Sequence, residues 1–368
     1  TFWGKWLWQN PKMFEELKEF MDEIHKTGAK LFVQLTAGMG RSWAITELVA
    51  PLHKNKFTRA LVKPILDTSH ELASPSPQPS RWAHDIICPE MTKHQIHEII
   101  EAFAKTAKLC RDAGVDGVEV HAVHEGYLLD QFAIEFFNKR TDEYGGSFEN
   151  RYRFAAEVVK AIKEACGKDY PVSLRYSVES KMKGFCEGAM PGEDYTEVGR
   201  AMPESEKAAK YLQDAGYDML NADNGTYDSW YWAHPPMYMP ENCNLDDVAH
   251  IKKFVDIPVV CAGRMDAATA SEAIAAGSYS VELKNIEFTT PDEVATRFNN
   301  VSSTFTIAGG GGGGDNRQRV AHGLLGGDGV IGSVRRIADC GLHRLAVVEL
   351  LGGGAPCRQL AVRGGARC

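Results

Sequence analysis

Five short apolar runs, separated by long amphipathic segments, constrain this chain more than any other feature of it. The runs are Lys30 to Leu35, Gly117 to Val123, Pro171 to Ser177, Asp218 to Ala222 and Pro258 to Gly263. They are rich in β-branched residues and nearly continuous in apolar character, the pattern of strands buried on both faces. Between and around them lie segments with helical spacing: Phe14 to Thr27, Thr92 to Ala113, Glu149 to Ala165, Ser205 to Ala215 and Ala268 to Ala276. Strand and helix in strict alternation imply a parallel sheet with helices packed outside it. No G-x-G-x-x-G turn follows any strand, which favours a (β/α)8 barrel over a dinucleotide-binding sheet.

The punctuation between the runs agrees with that reading. Thr92-x-x-Gln95 is a capping box, in which hydroxyl and amide satisfy opposing N–H groups at a helix start. Ser147 is placed as an N-cap, with Asn150 and Arg151 in the first turn that follows. Gly28, Gly114, Gly167, Gly216 and Gly277 stand where helices end, and glycine there accepts the left-handed closing residue. Ser278 to Leu283 reads as a weak further strand. Six strands would be the third to eighth of a barrel, so the sequence predicts an incomplete one whose first two strands lie before Thr1. The lack of an initiator Met agrees with a start further upstream. The stretch from Thr36 to Glu90, with Pro75-Ser-Pro-Gln-Pro79, has no sustained period and reads as a large strand-to-helix loop, where barrels place binding sites.

Charge and cysteine usage exclude several classes of function. A net charge of −8 argues against nucleic acid as a partner, since phosphate contacts need clustered Lys and Arg. No apolar run approaches the ~20 residues that span a bilayer, and the first residues lack the order of a signal peptide. The nine cysteines form no C-x-x-C pair, so neither a zinc ribbon nor a disulfide framework is indicated. Reduced thiols and a cytoplasmic location are expected. The division expected is a barrel over residues 1–284 and an atypical tail over 285–368. No Lys follows Lys284, and a six-residue glycine run spans Gly309 to Gly314. The tail reads either as a frame-shifted or fused segment or as a flexible low-complexity one.

Chemistry is densest in His121-Ala-Val-His124-Glu125-Gly-Tyr127-Leu-Leu-Asp-Gln131-Phe132, followed by Asn138-Lys-Arg140-Thr-Asp142-Glu-Tyr144-Gly145-Gly146-Ser147-Phe-Glu149-Asn150-Arg151. A buried strand delivers His121, His124 and Tyr127 to its C-terminal mouth, where barrel enzymes keep their chemistry. Paired histidines at i and i+3 suit a metal, but no third ligand stands at a metal-site spacing, so no metal is assigned. Two hydrogen-bonded histidines at a strand end are the alternative.

Together these two segments resemble the signature region of the Old Yellow Enzyme family. The insertion around Glu125 is more like its enoate and dienoyl-CoA reductase branch. Tyr227-Asp-Ser-Trp-Tyr-Trp-Ala-His234-Pro-Pro-Met-Tyr238 is similar to the clostridial-type 2-enoate reductases. The resemblance runs over roughly residues 13 to 277. It implies an FMN-containing (β/α)8 barrel that reduces the activated C=C bond of unsaturated carboxylates with hydride from NADH. Gln34 matches the residue at the flavin pyrimidine edge, and Arg175 the cation beside it. Gly263 and Arg264, in Ala262-Gly263-Arg264-Met265, match the segment at the FMN phosphate. Tyr127 matches the proton donor, and His121, His124 and His234 are candidates for holding the substrate carbonyl or carboxylate. An aromatic wall from Trp230, Tyr231 and Trp232 is weighed against ordinary packing.

The chain departs from the family pattern in several places. The eighth-strand G-x-G-R segment is replaced by Ser278-Tyr-Ser-Val-Glu-Leu-Lys284. The cysteines that hold a [4Fe–4S] centre are missing, and Cys340, Cys357 and Cys368 stand too far apart to replace them. No FAD- or NADH-binding domain is recognisable. Two alternatives follow: a 2,4-dienoyl-CoA reductase-like enzyme, with Lys54, Lys56, Arg59 and Lys63 for the CoA phosphates, or a cofactor-free inactive remnant. Expected partners are a small unsaturated acid and, for uncovered sheet edges, a second copy of the chain; no membrane is expected.

Overall fold

The computed structural model describes residues 6–43, 56–63, 67–124, 127–275, 280–282, 305–307 and 345–349. Eight strands form one closed parallel barrel. In chain order they are β1 Lys30–Thr36, β2 Gly117–His121, β3 Val172–Ser177, β4 Met219–Asp223, β5 Val259–Cys261, β6 Ser280–Glu282, β7 Phe305–Ile307 and β8 Leu345–Glu349. Each strand neighbours the next in sequence, and β8 closes the ring onto β1. The register there runs from Lys30 opposite Leu345 to Gln34 opposite Glu349.

The closure differs from the sequence expectation in a definite way. The two strands expected before Thr1 have their places taken by β7 and β8, both drawn from beyond residue 285. A parallel barrel leaves unpaired backbone N–H and C=O groups until its sheet closes, so any two short extended segments that reach the gap satisfy them. Three- and five-residue strands carry too little periodicity to be read in advance. The six-glycine run, Gly277, Lys284, Cys340, Cys357 and Cys368 lie outside the described residues.

The helices outside the barrel are α1 Pro11–His25, α2 Lys93–Asp112, α3 Phe148–Cys166, α4 Met202–Ala215, α5 Leu245–Lys252 and α6 Ala267–Ala275. Their caps follow the sequence. The Thr92 N–H donates to Gln95 Oε1 at 2.9 Å, and the Gln95 N–H donates back to Thr92 Oγ1 at 3.2 Å. The Asn150 N–H donates to Ser147 Oγ at 3.3 Å. Gly114 and Gly216 take φ of 89° and 126° at the ends of α2 and α4, conformations that disfavour any residue with a Cβ. Sequence reading missed α5, whose two turns bury only Val248 and Ile251.

Strand parity then sorts the side chains. Leu31, Val33, Leu35, Val118, Val120, Val172, Leu174, Leu220, Val259 and Cys261 point outward and join Phe14, Met21, Ile24, Ile96, Ile99, Phe103, Val158 and Ile162 of the helices in one core. Each such side chain contributes about 1.5–3 kcal/mol by leaving water. The opposite face points into the barrel. There Phe32, Met219 and Val260 make a small apolar floor. Gly117 is required beside it, because a Cβ would fall 2.5 Å from the Phe32 ring. Above that floor the inward positions turn polar, which is where the site begins.

Candidate active site

Four strands deliver a continuous hydrogen-bonded network to the barrel interior. Gln34, Glu119, Ser173, Arg175, Asn221 and Asp223 all point inward because each lies an even number of residues from its inward neighbours along a strand. The Gln34 Nε2 donates to Glu119 Oε1 at 2.6 Å, and the Ser173 hydroxyl donates to Glu119 Oε2 at 2.8 Å. The Asn221 Nδ2 donates to Glu119 Oε2 at 3.2 Å, while the Asn221 Oδ1 accepts from Arg175 Nη1 at 2.6 Å. Arg175 Nη2 is ion-paired with Asp223, whose other oxygen accepts from His124 Nε2 at 2.7 Å. A carboxylate at Nε2 assigns the proton of neutral His124 to that nitrogen. Glu119 and Asp223 are fully buried, so the cation and amides around them offset the cost of removing carboxylates from water.

At the mouth above this network, six aromatic rings form a closed circuit. His121 lies 3.6 Å from Tyr127 between ring centres, Tyr127 6.2 Å from Tyr227, and Tyr227 4.6 Å from Trp230. Trp230 lies 4.2 Å from His234, His234 6.0 Å from His124, and His124 6.1 Å from His121. Local backbone makes this possible. His124 adopts φ of 69°, turning the chain sharply after β2, and bridges to Thr226 after β4. The Tyr227 N–H donates to the His124 carbonyl, which ties the two ring-bearing loops together.

Ionic clasps anchor the loops behind the rings. Asp228 accepts from Arg41 Nη2 at 2.7 Å and also pairs with Arg81, and both Arg41 and Asp228 side chains are fully buried. Arg41 lies 4.3 Å and 4.6 Å from the ring centres of Phe137 and Phe185. The Leu128 N–H donates to the Gly38 carbonyl at 2.9 Å, pinning the short helix Leu128–Ala133 that begins after Tyr127. From below, Arg200 pairs with Asp130 of that helix and donates from Nη1 to the Ser177 carbonyl at 2.8 Å. Arg200 Nε also donates to the Tyr152 hydroxyl at 2.8 Å. Burial holds the Tyr152 phenol well above its ordinary range, although Arg200 opposes the shift.

The sequence-predicted residues divide into three groups. His121, His124, Tyr127 and His234 meet in the aromatic circuit, and Gln34 and Arg175 meet in the network beneath it. Gly263 and Arg264 sit apart, after β5. Gly263 has φ of 128°, and a Cβ there would collide with the Asn244 amide, so glycine admits Asn244 beneath the loop. Arg264 Nη1 donates to the Pro236 carbonyl at 3.2 Å, and Nη2 lies 3.5 Å from Glu241. Its Nε is buried and finds no partner among the described residues. Of the three consecutive aromatics, Trp230 belongs to the circuit. Trp232 is buried and donates from Nε1 to the Ala189 carbonyl at 2.7 Å, and the Tyr231 hydroxyl packs on Gly188. Glu125 and Gly126 lie outside the described residues, as does Lys54. Sequence reading missed Glu119, Asn221, Asp223 and Tyr227. The signal was present for the first three, because Gly117-Val-Glu119-Val-His121 and Asn221-Ala-Asp223 alternate polar residues on the inward face. Among the described residues no three His, Cys, Asp or Glu side chains are placed to hold a metal.

A closed parallel barrel with a polar interior layer and an aromatic, histidine-rich mouth at the strands' C-terminal ends defines a (β/α)8-barrel enzyme scaffold. The chain belongs to the NADH:flavin oxidoreductase / NADH oxidase family, whose model matches residues 5–281. It is 48% identical over 260 residues to a cinnamate reductase of Clostridium sporogenes, covering 70% of this chain and 36% of that protein. It is 33% identical over 246 residues to an NADH oxidase of Thermoanaerobacter brockii, covering 67% of this chain and 32% of that one. A multifunctional alkene reductase/demethylase of Caballeronia cordobensis is 33% identical over 267 residues, covering 71% and 34%. The chain thus spans about a third of the length of each of these relatives. No helix among the described residues is long and apolar enough to cross a membrane.

Proposed function

We propose that this chain is the FMN-binding barrel of an NADH-dependent ene-reductase that reduces the C=C bond of unsaturated carboxylates, with aryl-substituted acids as the preferred class. The observation that carries the reading is the closed circuit of six rings over a buried Arg175–Asp223–His124 network. Flat apolar walls with edge donors suit a conjugated acid, which needs π-contact along its length and hydrogen bonds at one end. The 48% identity to the cinnamate reductase supports the aryl preference.

The donor set fits a flavin. Among the described residues the Gln34 carbonyl oxygen accepts no hydrogen bond, so it is open to an imide N–H. The Arg175 guanidinium, held by Asn221 and Asp223, supplies positive charge to the same network. Gly263 and Arg264, with the unpartnered Nε, are assigned to the phosphate on the donor chemistry alone. Bound FMN would supply a hydride carrier that NADH recharges.

The chain's own residues do the rest. His121, His124 and His234 stand around the mouth, where N–H donors to the substrate carboxyl or carbonyl oxygen stabilise charge that builds up there as the C=C bond is reduced. Asp223 fixes the His124 tautomer so that its ring keeps one orientation. Tyr127, seated against His121, holds a phenol proton for the α-carbon. Tyr227 and the solvent-exposed Trp230 form the outer part of the aromatic wall.

The test is the visible spectrum of the purified chain with FMN, before and after anaerobic NADH and then cinnamate. A bound-flavin spectrum that bleaches with NADH and recovers with cinnamate is expected. A chain that retains no flavin, or whose reduced flavin ignores every enoate, would overturn the proposal.

A further inference from the structure

We propose that Glu119 is a positioning residue that sets the polarity of two inward amides, Gln34 at the flavin edge and Asn221 behind Arg175. The proposal rests on the flavin reading of the site above. Gln34 and Asn221 each carry one donor and one acceptor end, and an amide left to itself presents either. Glu119 removes the choice. A carboxylate accepts only, so both amides must turn their NH2 groups toward it: Gln34 at 2.6 Å and Asn221 at 3.2 Å. The opposite ends are thereby fixed as acceptors. The Gln34 oxygen is left facing away from Glu119, and the Asn221 oxygen meets Arg175 Nη1 at 2.6 Å.

One buried carboxylate therefore decides two functional orientations at once. It commits Gln34 to accept, which suits the imide N–H of an isoalloxazine and rejects a ring that offers only acceptors at that edge. It also commits Asn221 to hold the guanidinium of Arg175. Glu119 is fully buried, and Ser173 adds a hydroxyl donor at 2.8 Å. Ion–amide hydrogen bonds in such a site resist rotation, because a flipped amide would set its oxygen against the carboxylate.

The experiment is a double-mutant cycle on FMN affinity, read by quenching of FMN fluorescence, with wild type, Glu119→Gln, Gln34→Met and the double variant. Glutamine at 119 keeps the shape and offers both a donor and an acceptor, so the amides lose their fixed sense. Each single variant is expected to weaken FMN about tenfold. The double variant should be weaker than the worse single one yet fall short of the summed losses, since Glu119 acts partly through Gln34 and partly through Asn221 and Arg175. The flavin midpoint potential of Glu119→Gln should also move to more positive values, because a negative charge near the ring has been removed; the coupling to Gln34 in the cycle is the readout that a packing role would leave near zero. Wild-type affinity in Glu119→Gln, or losses that simply add in the double variant, would overturn the proposal while leaving the flavin site standing. Wild type that binds no FMN would remove the site reading and this inference together. Should Glu119→Gln fail to fold by circular dichroism, Glu119→Asp takes its place in the same cycle. Its shorter carboxylate is expected to weaken FMN by a similar factor, and unchanged affinity would again count against the role.

Discussion

The His121 and Tyr127 rings lie 3.6 Å apart between centres, with their planes tilted by 34°. The contact seats the phenol on the last inward position of β2 and sets its direction without using the hydroxyl. Tyr127→Phe should therefore keep the stack and remove the hydroxyl that carries the proton. The rate of C=C reduction is expected to fall about 100-fold or more, with flavin reduction by NADH unchanged. Stopped-flow measurement of the two half-reactions separates them, and an equal loss in both would remove Tyr127 from the proton-donor role.

Asp228 answers two arginines from inside the protein. Asp228→Ala leaves the Arg41 guanidinium, fully buried, without this carboxylate. Breaking a buried pair from one side costs about 3–5 kcal/mol. Urea unfolding should report a loss of that order, with weakened binding of enoate substrate because the Tyr227–Trp230 loop loses its anchor. A change below about 1 kcal/mol would show that the clasp is solvated.

Asp266 caps α6. Its Oδ1 accepts from the N–H groups of Ala268 and Thr269, each at 3.0 Å, and its Oδ2 from Asn242 at 2.6 Å. Hydrogen bonds from the Thr269 side chain and N–H, then Asn242, pull its carboxyl down to about 2. A depressed carboxyl stabilises the fold above its unfolded pKa of ~4 and loses that contribution as pH falls toward about 2. Asp266→Ala should cost about 1 kcal/mol at neutral pH. The gap between variant and wild type should narrow as pH falls from about 4 toward about 2 and close only below that; a gap that stays constant with pH would contradict the capping account.

Gly117 makes room for Phe32 in the barrel floor. Gly117→Ala should cost about 1–3 kcal/mol through overpacking, and Phe32→Leu in the same chain should recover part of it. Thermal unfolding of wild type, Gly117→Ala, Phe32→Leu and the double variant is the measurement. Additive losses would place the strain elsewhere.

Much of the architecture was legible from local pattern. Continuous β-branched runs at Gly117 to Val123 and Pro171 to Ser177 needed burial on both faces. Thr92-x-x-Gln95 and Ser147 announced helix starts that the hydrogen bonds then made. His121 was readable as delivered by a buried strand to its C-terminal mouth, whereas Gln34 and Arg175 were singled out through the family resemblance.

What the sequence determined by itself was therefore the longer strands and helices and the caps that start them. What only the tertiary structure decided was which residues meet. Gln34 and Glu119 are 85 positions apart, His124 and Asp223 are 99 apart, and Arg41 and Asp228 are 187 apart. No periodicity links such pairs; they meet because barrel closure sets strand neighbours and the loops that follow them, and a one-residue slip would turn the strand residues Gln34, Glu119 and Asp223 outward. The closing strands Phe305–Ile307 and Leu345–Glu349 belong to the same class of fact. Their place follows from backbone groups that need partners around a ring, a demand of the whole sheet that no short segment states alone.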